Sequence, residues 1–267
     1  MINKGKKNIL GILIDAADYE AVVDSVMKAA RKRQGLAVSA LAVHGVMTGV
    51  FNPEQKYRLN HFDVLVPDGQ PVRWALNLIH GTRLRDRVYG PNLMLAMCAQ
   101  AERECLGVYC YGSTEEVLLA LKTNLAKRFP RLVIAGMEAS KFRQLSRDEK
   151  KDIVTQIRAS GATIVFVGLG CPRQEVWAYE FREALSLPVL AVGAAFPFLA
   201  GKISQAPQWM QDRGSEWLFR LVTEPRRLWR RYVFLNPAYI LLIILQLVSL
   251  KQFPTEGRQP STELLYG

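Results

Sequence analysis

Asp68 directly follows the apolar run Phe62-Asp63-Val64-Leu65-Val66-Pro67 and precedes Gly69. A short β-branched run of this kind reads as a buried strand. In parallel sheets ligands gather at the carboxyl ends of the strands. An acid at such an end, beside a glycine that lets a ligand approach, is a candidate for catalysis. The same Asp-Gly pair serves equally as an Asx-turn or a helix cap. A second stretch with chemical content is Ala162-Thr163-Ile164-Val165-Phe166-Val167-Gly168-Leu169-Gly170-Cys171-Pro172-Arg173-Gln174-Glu175. Here an apolar strand turns through Gly168 and Gly170 into a helix, with Pro172 suited to the first helical turn. Such a turn brings backbone N–H groups and a positive helix end to one point, which is an anion site or simply a tight connection. Arg83, Arg85 and Arg87 alternate in a segment between these stretches and offer cations, or a solvated edge.

The elements that must hold these residues follow from the pattern of the chain. Residues 9–14 read as the first strand, and a helix over 18–34 places Tyr19, Val22, Val23, Val26 and Ala30 at helical spacing before Gly35. A second strand at 36–43 ends in His44-Gly45, and the third ends in Asp68. Strand 107–111 closes in Gly112-Ser113-Thr114, where Ser113 or Thr114 caps the next helix. Ser146 and Glu149 form a capping-box pattern. Strand–glycine–helix units recur at 108–114, 165–172 and 189–194. This alternation predicts an α/β fold with a doubly wound, mostly parallel, Rossmann-like sheet whose glycine turns converge on one edge. No G-x-G-x-x-G and no G-x-x-x-x-G-K-[ST] occurs, so the dinucleotide fingerprint and the P-loop are absent.

Composition limits the function classes. The 267 residues carry a net charge of +11, concentrated near the C-terminus in Arg213, Arg220, Arg226, Arg227, Arg230 and Arg231. Such a patch suits phosphates. The 4 cysteines form no C-x-x-C pair, and there are 3 histidines, so neither a zinc site nor a disulfide framework is expected and the setting reads as reducing. The arginines are interleaved with Trp217 and Trp229 but adjoin an apolar helix rather than a nucleic-acid module, so no nucleic-acid partner is expected. The apolar run at 238–250, introduced by Asn236-Pro237, is shorter than the roughly 20 residues that cross a bilayer. It is suited to lying on a membrane surface, packing on the domain or joining copies of the chain into a homo-oligomer. The expected organisation is an α/β domain at 1–201, a helical, basic, membrane-associating appendage at 202–253 and a disordered tail at 254–267.

In order and spacing, several segments resemble the WecG/TagA/CpsF glycosyltransferases across nearly the whole chain. They are Val66-Pro67-Asp68-Gly69, Arg87-Val88-Tyr89-Gly90-Pro91, Tyr111-Gly112-Ser113, residues 166–175, Gln205-Ala206-Pro207-Gln208-Trp209, and the segment 216–232 that begins Glu216-Trp217-Leu218-Phe219-Arg220. The resemblance implies transfer of a sugar from a UDP-sugar to a sugar on a polyprenyl diphosphate in bacterial surface or exopolysaccharide assembly. It implies inversion at the anomeric centre, with no metal and no cofactor, at the cytoplasmic face of the inner membrane. On it, Asp68 matches the proposed base. His44, Arg87, Gly112, Ser113, Gly168, Gly170, Gln174 and Glu175 fall at the substrate pocket. Arg220, Arg226, Arg227, Arg230 and Arg231 clasp the lipid diphosphate. The chemistry agrees: an inverting transfer needs a carboxylate to take the acceptor proton, and the departing UDP needs cations or N–H donors. No D-x-D, the usual metal holder, occurs. The chain departs from the family at His44, where a Thr or Asn is frequent, and at Pro197, where many members carry an Asp. The second departure is the ground for an alternative, a non-catalytic UDP-sugar- or lipid-binding subunit of a polysaccharide assembly complex.

Overall fold

The computed structural model describes residues 1–267, apart from the side chains of Arg227 and Arg231. Two lipid-diphosphate expectations, Arg227 and Arg231, therefore lie outside the described residues. The core is a six-stranded parallel sheet in the order β4-β3-β8-β7-β5-β6. Its strands are β3 (Leu36–Leu41), β4 (Val64–Pro67), β5 (Val108–Gly112), β6 (Ile134–Glu138), β7 (Ile164–Gly168) and β8 (Pro188–Ala191). Residues 164–167 are buried on both faces, as expected for a sheet covered by helices on each side. One layer includes α1 (Tyr19–Lys32), α5 (Gly90–Arg103), α6 (Glu115–Arg128) and the short α9 (Ala195–Leu199). The other includes α2 (Val43–Phe51), α3 (Pro53–Asn60), α4 (Gln70–His80), α7 (Arg147–Ala159) and α8 (Arg173–Leu185). Two expected caps form, Thr114 accepting from Val117 N–H and Ser146 and Glu149 closing a capping box, and Asp18, expected as the first residue of its helix, caps it by accepting from Ala21 N–H.

Chain order and strand order differ, and the difference positions the site. After β3 the chain moves outward to β4; it then crosses to β5 and β6 and returns through β7 to β8, beside β3. The connections leaving β3 and β8 part in opposite directions, which opens a crevice at the carboxyl end of the sheet. The strand ends that flank it belong to β4, β3, β8 and β7.

The first expected strand is corrected. Residues 9–14 do not form one strand of the main sheet. They contain the turn of an antiparallel hairpin, β1 (Asn3–Ile9) and β2 (Ile12–Ala17), that reverses at Leu10-Gly11, both with positive φ. The hairpin caps the β4 edge: Asp15 accepts from Leu65 N–H at 2.7 Å and from Lys6 Nζ at 2.8 Å. Covering that edge satisfies backbone groups that would otherwise stand exposed.

The C-terminal segments are helical as expected, but the start and length of the apolar helix differ from expectation. Helices α10 (Gln208–Asp212), α11 (Glu216–Thr223) and α12 (Pro225–Arg230) lead through a π-helical turn, Arg231–Leu235, into α13 (Asn236–Leu247). Asn236 has helical dihedrals rather than those of a cap. The wider π turn accommodates Pro237, which has no N–H for the α-helical ladder. The helical run Leu228–Leu247 therefore reaches 20 residues with a mean hydropathy of 1.3, long and apolar enough to cross a membrane by length and composition. One face of α13 is nevertheless committed to the body. Tyr239 and Ile243 are buried, Tyr239 Oη donates to the Pro71 carbonyl at 3.3 Å, and Gln246 bonds both Leu10 N–H and the Asn8 carbonyl in the hairpin. The opposite face, including Ile240, Leu241, Ile244 and Leu247, is exposed.

The tail, expected to be disordered, is laid along the body. Arg258 N–H donates to the Pro53 carbonyl, and Leu264 and Leu265 N–H donate to the Glu180 carboxylate at 2.9 and 3.0 Å. Leu265 is buried against the domain. The Pro-, Ser- and Gly-rich composition of 254–267 gave no sign of this, because the docking group, Glu180, belongs to α8.

Candidate functional site

Asp68 sits at the turn between β4 and α4, at the floor of the crevice. Its Oδ1 accepts from Gly90 N–H at 3.0 Å. Residues 87–91 are held against the end of β4 by two further bonds. Val88 N–H donates to the Pro67 carbonyl at 2.8 Å, and Tyr89 N–H donates to the phenolic oxygen of Tyr19 at 2.7 Å. Of the alternating arginines, Arg83 and Arg85 point to solvent, whereas Arg87 is buried. Leu84 and Val88 are both buried, so the packing of this segment carries Arg87 into the crevice beside Asp68.

A carboxylate from the C-terminal segments completes this cluster. Glu216, the first residue of α11, accepts from Arg87 at 2.7 Å and from the Tyr89 hydroxyl at 3.3 Å. Gln211 accepts a second bond from Arg87 at 3.2 Å, and the guanidinium lies 4.3 Å from the centre of the Tyr89 ring. Burial pushes the Asp68 carboxyl up to about 6; Arg87 opposes this and Glu216 adds to it. Burial works against the charge on Arg87, but Asp68 and Glu216 outweigh it and hold the guanidinium charged. Burial also drives the Tyr89 hydroxyl well above its ordinary range, so it remains a neutral donor.

Two lobes open on either side of Asp68. One is lined by His44, Asp68, Gln70, Arg87 and, from the C-terminal segments, Glu216, Trp217, Arg220, Tyr232 and Asn236. The other lies over the ends of β3, β7 and β8 and is lined by Gly45, Asp68, Tyr89, Gly170, Gln174, Glu175 and Gly193. Ala42, Asp68, Glu216 and Arg220 line both, so the lobes form one continuous cleft. In the second lobe, Gln174 Nε2 donates to Glu175 Oε1 at 2.9 Å, and Ser39 Oγ donates to the same oxygen at 3.0 Å. Burial raises the Glu175 pKa. The Gln174 side-chain oxygen is buried there without a protein donor. An unsatisfied buried acceptor is costly in a ligand-free protein and is readily met by a ligand hydroxyl or N–H.

The structure thus brings Asp68, His44, Arg87, Gly170, Gln174, Glu175 and Arg220 into one cleft. Gly112, Ser113 and Gly168 line neither lobe. β5 lies on the far side of β7 from the crevice, and Gly112 is paired in register with Gly168. A Cβ at Gly112 (φ +111°) would stand 2.9 Å from the Gly168 carbonyl carbon, and one at Gly168 would meet the Phe196 ring. Both glycines are explained by close packing. Arg226 and Arg230 are exposed and line neither lobe; Arg230 lies over the Trp229 ring. Pro197 on α9 is also outside both linings, so the departure it marks does not remove a wall of this cleft. Among the described residues no group of three or more His, Cys, Asp and Glu side chains is placed to hold a metal ion.

Sequence reasoning assigned no role to Glu216, Tyr89, Gln211, Trp217 or Tyr232. The partner of Glu216, Arg87, is 129 residues away in the chain. The available signal was an acidic residue within an arginine-rich segment.

A crevice at the switch point of a parallel sheet, with a half-buried acid at its floor and cations beside it, is the arrangement of a group-transfer enzyme acting on an anionic substrate. Residues 7–253 match the Glycosyl transferase WecG/TagA/CpsF family, and the chain belongs to that family and is a glycosyltransferase. Among its relatives is the N-acetylglucosaminyldiphosphoundecaprenol N-acetyl-beta-D-mannosaminyltransferase of Bacillus spizizenii. The two are 28% identical over 194 residues, 72% of this chain and 72% of the relative. The protein of the same name from Bacillus subtilis is 26% identical over 230 residues, 82% of this chain and 87% of the relative.

Proposed function

We propose that this glycosyltransferase moves a sugar from a UDP-sugar to a saccharide carried on a polyprenyl diphosphate, with inversion and without a metal, in bacterial surface polysaccharide synthesis. The observation that carries the reading is the position of Asp68, shared by two lobes of one cleft. In an inverting transfer the acceptor hydroxyl attacks the anomeric carbon from the face opposite the leaving UDP. One base must stand between donor and acceptor to take the proton. An Asp68 carboxyl raised to about 6 is still ionised at neutral pH and is a better proton acceptor than an ordinary aspartate.

In this reading the donor occupies the lobe beside Gly170, Gly193 and Gln174, where the orphan side-chain oxygen of Gln174 takes a ligand donor. The acceptor enters through the lobe walled by Trp217 and Tyr232. Arg87 and Arg220 supply the charge that stabilises the departing diphosphate. The relatives' printed acceptor, N-acetylglucosaminyldiphosphoundecaprenol, is a lipid, and an enzyme using such a substrate must work at a membrane. The exposed apolar face of α13, together with exposed Trp217, Val222 and Phe234, supports a peripheral seat on a membrane surface, which in this reading is the cytoplasmic face of the inner membrane. Although the run Leu228–Leu247 is long enough to span, the bonds of Tyr239 and Gln246 to the body favour a helix lying in the interface.

The test is transfer by the purified full chain from a panel of UDP-sugars to a polyprenyl-diphosphate-linked N-acetylglucosamine, with EDTA present and the product anomer read by NMR. An inverted product formed at undiminished rate is expected. A retained anomer, or activity that requires added metal, would overturn the mechanism. The absence of transfer from every donor would overturn the substrate assignment.

A further inference from the structure

We infer that Glu216 is an internal counter-anion that holds the place of a substrate diphosphate on Arg87. In this role it latches α11 over the cleft until an anionic substrate displaces it. The inference rests on the reading that a diphosphate binds in this cleft.

The argument begins with charge. Asp68 and Glu216 face the guanidinium of Arg87, which lines the first lobe, and Arg220, which lines both lobes, has Glu224 at 3.6 Å. Both cations already face carboxylates before any ligand arrives. A diphosphate brings at least two further negative charges. In a cleft partly shielded from water, like charges at contact distance cost far more than they do in bulk solvent. One carboxylate must therefore leave Arg87 when the diphosphate binds.

Asp68 is not free to leave. It is fixed at the end of a sheet strand and accepts from Gly90 N–H. Glu216 is attached to a part of the protein that can move. It opens α11, a helix with no buried residue, and follows Gly214, whose φ of +69° is a conformation suited to glycine at a chain reversal. Its carboxylate accepts one bond from the charged guanidinium of Arg87 and a longer one from the neutral hydroxyl of Tyr89. A diphosphate oxygen can replace Glu216 on both partners, because it accepts the same hydrogen bonds with greater charge. Displacement would free the start of α11 in the segment that also carries the apolar face. Arg87 would then read the same chemistry whether the diphosphate belongs to the nucleotide donor or to the lipid acceptor.

Hydrogen exchange over residues 208–223 and calorimetry on the full chain test this with three probes: inorganic pyrophosphate, UDP and farnesyl diphosphate in detergent. In the wild type, a probe that binds is expected to speed exchange at the start of α11, although ligand binding ordinarily slows exchange near a site. Glu216→Gln, which keeps the shape and removes the charge, is expected to show fast exchange without ligand. It should bind pyrophosphate about ten-fold more tightly, the scale of one charge-assisted hydrogen bond. A residue with only a structural role would weaken binding when altered. Slower exchange in the wild type on binding, or equal or weaker affinity in Glu216→Gln, overturns the latch. The wild-type exchange measurement decides the matter even if the variant fails to fold. A response to pyrophosphate and farnesyl diphosphate but not to UDP upholds the latch while removing the donor assignment. A response to UDP but not to farnesyl diphosphate assigns the displacement to the donor. If no probe binds at all, the latch falls together with the diphosphate site.

Discussion

The carboxyl edge of the sheet and the C-terminal helices both contribute to the cleft, but they hold their residues in opposite ways. Asp68, Gln174 and Glu175 are set by turns at the ends of β4 and β7, and the strands beneath them are buried on both faces. Their positions are fixed by the same packing that makes the sheet. Glu216, Trp217 and Arg220 come from a helix with no buried residue, held by polar contacts to Arg87 and Tyr89. Packing against a close-packed interior gives precision, and a few polar bonds give reversibility. The first region is suited to making the bond, and the second to admitting and releasing a large amphiphilic substrate.

The sharpest way to break this contrast is at Asp68. Asp68→Asn is expected to lower kcat roughly a thousand-fold, the scale of a lost general base, while the melting temperature holds or rises because the partly desolvated group no longer ionises. Steady-state transfer and a thermal melt measure both. Retention of wild-type turnover would remove Asp68 from the chemistry.

A pH profile comes next. The ionised form of Asp68 is the working one, and its pKa in the folded protein is raised to about 6. The ratio kcat/KM should therefore fall about ten-fold per unit below that value and level off above it. Because Arg87 lowers the Asp68 pKa, Arg87→Gln should move this acid limb upward as well as reducing the rate. An unmoved limb would mean that another group titrates.

The C-terminal side is tested at its exposed face. Ile240 and Ile244 are both exposed and lie one helical turn apart. Replacing both with Gln should reduce co-sedimentation with phospholipid vesicles at least roughly ten-fold, since each buried side chain of this kind is worth about 1.5–3 kcal/mol. The melting temperature should stay within roughly 2 °C, because surface changes away from packed features have small effects. Unchanged sedimentation with a change in oligomeric state would assign the face to contact between copies of the chain.

The smallest effect on function is expected at Gly112. Gly112→Ala should cost about 1–2 kcal/mol of stability, from its positive φ and the close approach to Gly168. UDP affinity measured by calorimetry should remain within roughly two-fold, since Gly112 lines neither lobe. A large loss of affinity would return the β5 turn to the site.

Much of this protein was legible in local pattern. Apolar runs ending in glycine gave the parallel strands, because a strand buried on both faces has few alternatives. Asp18, Thr114 and the Ser146–Glu149 pair marked helix starts, because capping is a contact between near neighbours. Asp68 was readable as an acid at a strand end, and Gln174 and Glu175 as the head of a helix after a glycine turn. The hairpin at 3–17 was missed because Leu10-Gly11 interrupts what reads as one apolar run. The order in which the strands lie side by side was not readable from the sequence. It depends on crossover connections, and it decides that the turns after β7 and β8 reach the cleft while the equivalent turn after β5, with Gly112 and Ser113, stays outside. The pairing of Arg87 with Glu216 and the docking of the tail on Glu180 are long-range polar contacts, and which arginine enters the cleft depends on how Leu84 and Val88 pack against the body. Residue types at these positions permit such contacts, but only the fold brings the partners within reach.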